Sequence, residues 1–143
     1  MPNIIPTAFK TELLSGTHNF ANGGDSFKLA LYTSNPYSAS STAYLAGTGN
    51  NEVSTTNTNY SAGGQTLDSQ AVAATNTTGH VDFADETFSS VTLTAAFAAI
   101  YNDTNSDKLC LVLDFGGNKT ATNGDFVVQF PTANASDAII RIA

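Results

Sequence analysis

At 143 residues, 41% of them hydrophobic, the chain is long enough for one domain around a single core and too apolar to be read as disordered. Twelve Asp and Glu against five Lys and Arg give a net charge of -7 without any basic cluster, which argues against binding to nucleic acid or to an anionic membrane surface. Charged residues make up only 12%, so Ser, Thr, Asn and Gln must supply the polar surface. The lone Cys110 leaves no partner for an intrachain disulfide, and no stretch approaches the roughly 20 apolar residues of a membrane-spanning helix.

Residues 1–6 place Pro2 and Pro6 around Ile4 and Ile5 and read as an extended arm, because proline fixes its own φ and restricts the residue before it. The arm has neither the basic region nor the apolar core of a signal peptide, so synthesis in a cytoplasm without export by that route is expected. Its two isoleucines need burial, on the parent domain or on a neighbour. Residues 7–15 are the one helix, with Thr7 as N-cap, Phe9, Leu13 and Leu14 as the apolar stripe, and Gly16 as the left-handed terminator. Two to three turns do not stand alone, so this helix must pack on a sheet.

Residues 20–25 predict a turn and residues 27–33 a strand, with Phe27, Leu29 and Leu31 inward and Lys28, Ala30 and Tyr32 outward. Residues 34–49 form a long polar excursion with a short helical turn near Tyr44. A loop of this length is usually functional or ordered by a partner. Tyr37, Tyr44 and Leu45 on it join Ile4 and Ile5 as candidate protein-interface residues. Residues 52–60 predict a short strand, Gly63 and Gly64 a turn, and residues 67–74 and 80–84 two strands around the turn at 76–79.

The last third reads as four strands, 91–102, 108–115, 125–131 and 137–143, separated by Asn/Asp/Gly/Thr loops and expected to pair consecutively as an antiparallel meander. Strict alternation puts Val91, Leu93, Ala95, Phe97, Ala99 and Tyr101 on one face. Leu109, Leu111, Leu113 and Phe115 share the next, and Phe126, Val128 and Phe130 the third. Phe97, Leu111, Leu113, Phe126 and Phe130 are then buried together. The opposite faces carry Ala96, Ala98, Ile100, Cys110, Val112, Val127 and Ile139, so they too need cover, from the helix or from another subunit. Seven to eight strands and one short N-terminal helix predict an all-β protein, an antiparallel β-sandwich. The organisation is an arm over 1–6 and a single sandwich domain over 7–143.

Few residues suggest chemistry. Asp103, Asn105 and Asp107, followed by Asp114, partly match a calcium loop. Lys108 stands where the loop needs glycine, however, and the strand after it carries Asp114 away, so a polar hairpin turn is the preferred reading and no metal or cofactor is expected. Asp82, Asp85 and Glu86 lie near His80, yet nothing marks them as buried. His18 and His80 lack a second ligand at metal spacing. Cys110, inside an apolar run, reads as a buried small hydrophobe. Gly116 and Gly117 read as a hairpin turn. Tyr32, Tyr37, Tyr44, Tyr60 and Tyr101 could form a sugar-stacking platform, though tryptophan is absent. No catalytic set converges, and a non-enzymatic protein is expected.

The chain resembles a group of small β-rich virion proteins of tailed bacteriophages. The resemblance rests on the helix end Leu13-Leu-Ser-Gly16-Thr-His-Asn-Phe20, on Phe27-Lys-Leu-Ala-Leu-Tyr-Thr33, on Asn59-Tyr60-Ser-Ala-Gly63-Gly64-Gln-Thr-Leu67, and on Ala99-Ile-Tyr101-Asn-Asp103. Leu113-Asp-Phe-Gly116 with Lys119, Gly124-Asp-Phe126 and an Ile-rich final strand complete it. It implies a structural role in the particle, made in the host cytoplasm and located in the virion. The first expectation is a capsid decoration, or cement, protein, often trimeric, whose partners are the major capsid protein, other virion proteins and copies of itself. A head-fibre, tail or adsorption-apparatus component is the alternative within the particle, and a carbohydrate-binding β-sandwich module the alternative outside it.

Overall fold

The structure, a computed structural model, describes residues 3–143. Met1 and Pro2 of the expected arm lie outside the described residues. A helix α1 (Thr7–Leu14) is followed by β1 (Phe27–Tyr32), a 3-10 turn (Thr48–Asn50), β2 (Gln65–Thr66), β3 (Ala71–Thr75), β4 (Thr78–Asp82), β5 (Glu86–Asn102), β6 (Lys108–Val128) and β7 (Ile140–Ile142). The strands form two antiparallel sheets, ordered β2-β1-β5-β6 and β3-β4-β7. The main core draws Leu29, Leu31, Ile100 and Leu111 from the first sheet and Val81 and Ile140 from the second, so the fold is the expected all-β sandwich with one short helix.

Helix α1 starts directly after the extended Pro6, and no side chain caps it, so Thr7 is its first residue and not its cap. It ends as expected: Gly16 takes φ 79, its N–H donates to Leu13 O at 3.3 Å, and Thr17 N–H donates to Glu12 O at 2.9 Å. Phe9 is buried and Leu13 packs beside it, but Leu14 is 87% exposed. Five positions beyond Phe9, Leu14 is turned roughly 140° away from it, which removes it from the expected stripe.

The meander is corrected. In place of three consecutive strands there is one long hairpin, with β5 at 17 residues and β6 at 21 joined through residues 103–107. The segment expected as a third strand is the far end of β6, where Phe126 pairs with Phe88 and Val128 with Glu86. Gly116 and Gly117 lie inside β6 and make no hairpin turn. The expected fourth strand crosses to the other sheet, where Ile140 pairs with Val81 and Ile142 with Gly79. The polar Asn/Thr/Gly stretch within β6 reads as loop by composition, yet it has the length to pair with β5 from Ala95 down to Val91.

The strict face assignment is corrected too, because the β5–β6 register shifts four times. A shift between Ala95 and Phe97 turns Phe97, Ala99 and Tyr101 to the opposite face and brings Ala98 and Ile100 into the main core. A second shift leaves Cys110 as the extra residue, since Ile100 faces Leu111 while Tyr101 faces Leu109. Leu109 and Leu111 therefore point opposite ways, as a one-residue bulge requires. Of the five residues expected to be buried together, Leu111 and Phe126 are in the core, Leu113 and Phe130 pack against it, and Phe97 lies on the other face. Upstream, only Glu52 of the expected strand 52–60 pairs, in an isolated bridge with Tyr32, and of the strand expected at 67–74 only residues 71–74 are extended, in β3, while Gln65 and Thr66 just before it form β2.

The second face of the large sheet carries Ala30, Tyr32, Ala99, Tyr101, Leu109 and Val112. The chain covers this face itself. Ile4 forms an antiparallel bridge with Val112 through hydrogen bonds of 2.9 and 2.8 Å, and the Asp114 N–H donates to Asn3 Oδ1 at 2.8 Å. The excursion adds a bridge from Ala43 to Lys108, and Tyr37, Tyr44 and Leu45 close over the face. Helix α1 is not this cover, because its Phe9 belongs to the main core.

Candidate functional site

The residues of the partial calcium loop are not brought together. Asn105 turns its amide inward, donating to Thr17 O at 2.8 Å and Asp25 Oδ2 at 3.0 Å. Asp103 and Asp107 flank the β5–β6 turn, while Asp114 sits along β6 opposite Phe97, its Oδ1 accepting the Gly116 N–H at 2.8 Å. Among the described residues no three His, Cys, Asp or Glu side chains are placed to hold a metal ion. The acidic residues near His80 also act separately. Asp85 accepts the Phe130 N–H at 2.8 Å, Glu86 accepts from Gln65 Nε2, and His80 Nε2 meets Thr75 Oγ1 at 3.0 Å. Burial pushes the Glu86 carboxyl above its ordinary value, with the Gln65 hydrogen bond acting the other way.

Two buried polar networks escaped the sequence reading. The first centres on His18, whose side chain is fully enclosed. Its Nδ1 accepts from Asn102 Nδ2 at 3.0 Å, which leaves Nε2 to donate to Glu12 Oε2 at 2.8 Å. Lys108 Nζ adds a 3.2 Å contact to Glu12 Oε1. Asn102, completely buried, also donates to Asp25 Oδ2 at 2.9 Å, and its Oδ1 accepts the N–H groups of Thr104 and Asn105 at 3.1 Å each. The network ties α1, the loop before β1 and the β5–β6 turn together. Burial would raise the Glu12 carboxyl, but the hydrogen bonds from His18 and Lys108 outweigh it and hold it below its ordinary value. Cys110 Sγ lies 3.9 Å from His18 Nδ1, a spacing that suggests a thiol–imidazole pair. Yet the sulfur has no exposure, and burial pushes the thiol well above its ordinary value, so it remains an unreactive part of the core.

The second network centres on Glu52, only 2% exposed. Four donors satisfy it: Tyr44 Oη at 2.8 Å and Gly47 N–H at 2.7 Å on Oε2, Tyr60 Oη at 2.8 Å and Gly63 N–H at 2.7 Å on Oε1. Tyr101 Oη donates to Gly63 O at 2.7 Å and its ring stacks on Tyr44 at 4.4 Å, while Tyr32 and Tyr37 share a 2.6 Å hydrogen bond. Of the five tyrosines singled out as a sugar platform, Tyr32, Tyr37, Tyr44 and Tyr101 lie on the second face of the large sheet, while Tyr60 packs in the main core and reaches Glu52 through its hydroxyl. Four are buried and Tyr44 is half-buried, so they bind the excursion to the sheet and present no open stacking surface.

Of the five candidate interface residues, Ile4, Tyr37, Tyr44 and Leu45 are covered by the chain itself, and only Ile5, 40% exposed, stands open. Ile5 borders a groove between α1 and β7, about 270 Å³ in volume, walled by Leu13, Leu14, Ile140 and Ile142. The groove adjoins a cleft of about 400 Å³ between Phe20 and the inner face of the small sheet. Leu14, Val72 at 58% and Ile142 at 60% exposure line this side of the molecule, which sequence alone did not distinguish from core positions. No family model matches this chain, and no curated protein or solved structure matches it either.

Proposed function

We propose that the protein is a non-enzymatic structural component of a tailed-bacteriophage virion, a decoration protein that binds the capsid shell in many copies. One observation carries this reading beyond the resemblance. His18, Glu12, Cys110 and Glu52 are held in buried networks that fasten loops to the sheet, while four of the five large exposed apolar side chains, Ile5, Leu14, Val72 and Ile142, gather along one side, Val127 lying apart on β6. Exposed apolar side chains gathered in this way suit a contact surface. The test is to purify intact particles and count this protein against the major capsid protein. A ratio near one, with release of the protein lowering the particle's thermal stability, is the expected result. A few copies per particle would favour a fibre or tail component, and absence from particles would overturn the virion assignment.

A further inference from the structure

We propose that the groove between α1 and β7 receives an extended, acidic segment of a partner protein, which adds to β7 as a new edge strand of the small sheet. Three observations converge. First, β7 is an edge strand: its one ladder partner among the described residues is β4, and all three of its residues line the groove on the side of α1. An unpaired edge is a template for strand addition, with main-chain bonds giving affinity and alternate side chains giving specificity. Second, the walls are apolar, from Ile5, Phe9 and Leu13 on one side to Ile140 and Ile142 on the other, which suits every second side chain of an incoming strand.

Third, the charge of the groove is opposite to that of the molecule. The chain carries a net -7, yet the charged residues lining this groove are Lys10 and Arg141, with no Asp or Glu among them. The complementary strand alternates apolar residues with carboxylates. Two other occupants fit less well. A second copy pairing β7 on β7 about a twofold axis would bring Arg141 against Arg141 near the centre of a three-residue strand. A single-chain lipid would fill the apolar walls but leave the free backbone groups of β7 without partners. The inference does not depend on which particle or protein supplies the segment.

The test is selection of a random-sequence peptide display library on the full-length protein, followed by amide hydrogen exchange with a selected synthetic peptide. The expected peptides alternate apolar residues with Asp or Glu and slow exchange in residues 140–142. Their backbone N-methylated analogues should bind about tenfold more weakly, as loss of a net hydrogen bond or two implies. Lys10→Glu, a change at an exposed helix position, should reduce binding while leaving the melting temperature unchanged, and Arg141→Gln provides a second check. No enrichment, peptides without carboxylates, protection away from β7, or equal binding of the N-methylated analogue would overturn the proposal. So would laurate displacing the selected peptides with higher affinity, or self-association of the protein through β7, each of which assigns the groove to another occupant.

Discussion

Glu52 shows how a single residue organises a loop of this length. A buried carboxylate is costly unless fully hydrogen-bonded, and this one has four donors from two segments, 44–47 and 60–63. Glu52→Ala leaves the Tyr44 and Tyr60 hydroxyls and two N–H groups without their acceptor. At about 1–3 kcal/mol for each buried group left unsatisfied, reduced by water entry, the loss should be on the order of 4 kcal/mol in urea denaturation. A loss below about 1 kcal/mol would mean that water replaces the carboxylate and that the network is not what holds the excursion. Glu12 offers a different readout. Its folded-state value lies below the ordinary 4.5, so the stability it contributes is present above pH 4.5 and is lost as pH falls through the folded value. Glu12→Gln should therefore flatten the acid limb of the stability profile below pH 4.5, and an unchanged limb would remove His18 and Lys108 as its cause. Neither network was legible in the sequence. Glu52 sits in a polar stretch that gives no sign of burial, and Tyr44 and Tyr60 were visible as residues but not as donors to one carboxylate.

Backbone approach decides more than propensity at the scale of elements. Gly64 precedes β2 with φ 74, and a Cβ there would lie 1.7 Å from Leu29 O and 2.6 Å from Leu29 C, both main-chain atoms of β1. Gly16 has a similar φ of 79, but a Cβ there meets nothing within 4 Å. Gly16→Ala should cost only the left-handed conformation, about 1–2 kcal/mol. Gly64→Ala must separate β2 from β1 and should exceed about 4 kcal/mol or abolish folding. Comparable losses for the two, measured by chemical denaturation, would show that the β1–β2 contact yields easily. The same scale marks where period-two reading stops. Phe27–Tyr32 is legible because it pairs without interruption with β5 from Asn102 to Phe97. Phe97 was misassigned because a bulge is one extra residue and leaves no compositional trace. Gly116 and Gly117 look like a turn, and only the length of β5 reveals that its partner strand runs through them.

For the molecule as a whole, the question is which surface remains for a partner once the chain has covered its own second face. The arm was expected to bury its isoleucines on the parent domain or, in a virion cement protein, on another chain; Ile4 packs in register on Val112 and is half-buried there, while Val112 itself is 1% exposed. Deleting residues 1–4, which spares Ile5 in the groove, removes two backbone hydrogen bonds, the Asn3 side-chain bond and the partial burial of Ile4. That should lower stability by about 2 kcal/mol without unfolding the domain, and should release hydrogen-exchange protection at the Val112 amide. Leu14 is the opposite case, at 87% exposure on the groove beside β7. Leu14→Asp should leave the melting temperature within a degree or so, because surface substitutions away from packed features change stability by about 0.5 kcal/mol or less. If particles are the partner and the groove is the contact, Leu14→Asp should abolish attachment to particles, while the truncated chain should still attach under conditions where it is folded. The reverse pattern, attachment lost with the arm and unaffected by Leu14→Asp, would make residues 1–4 the docking element and move the contact to the β6 edge.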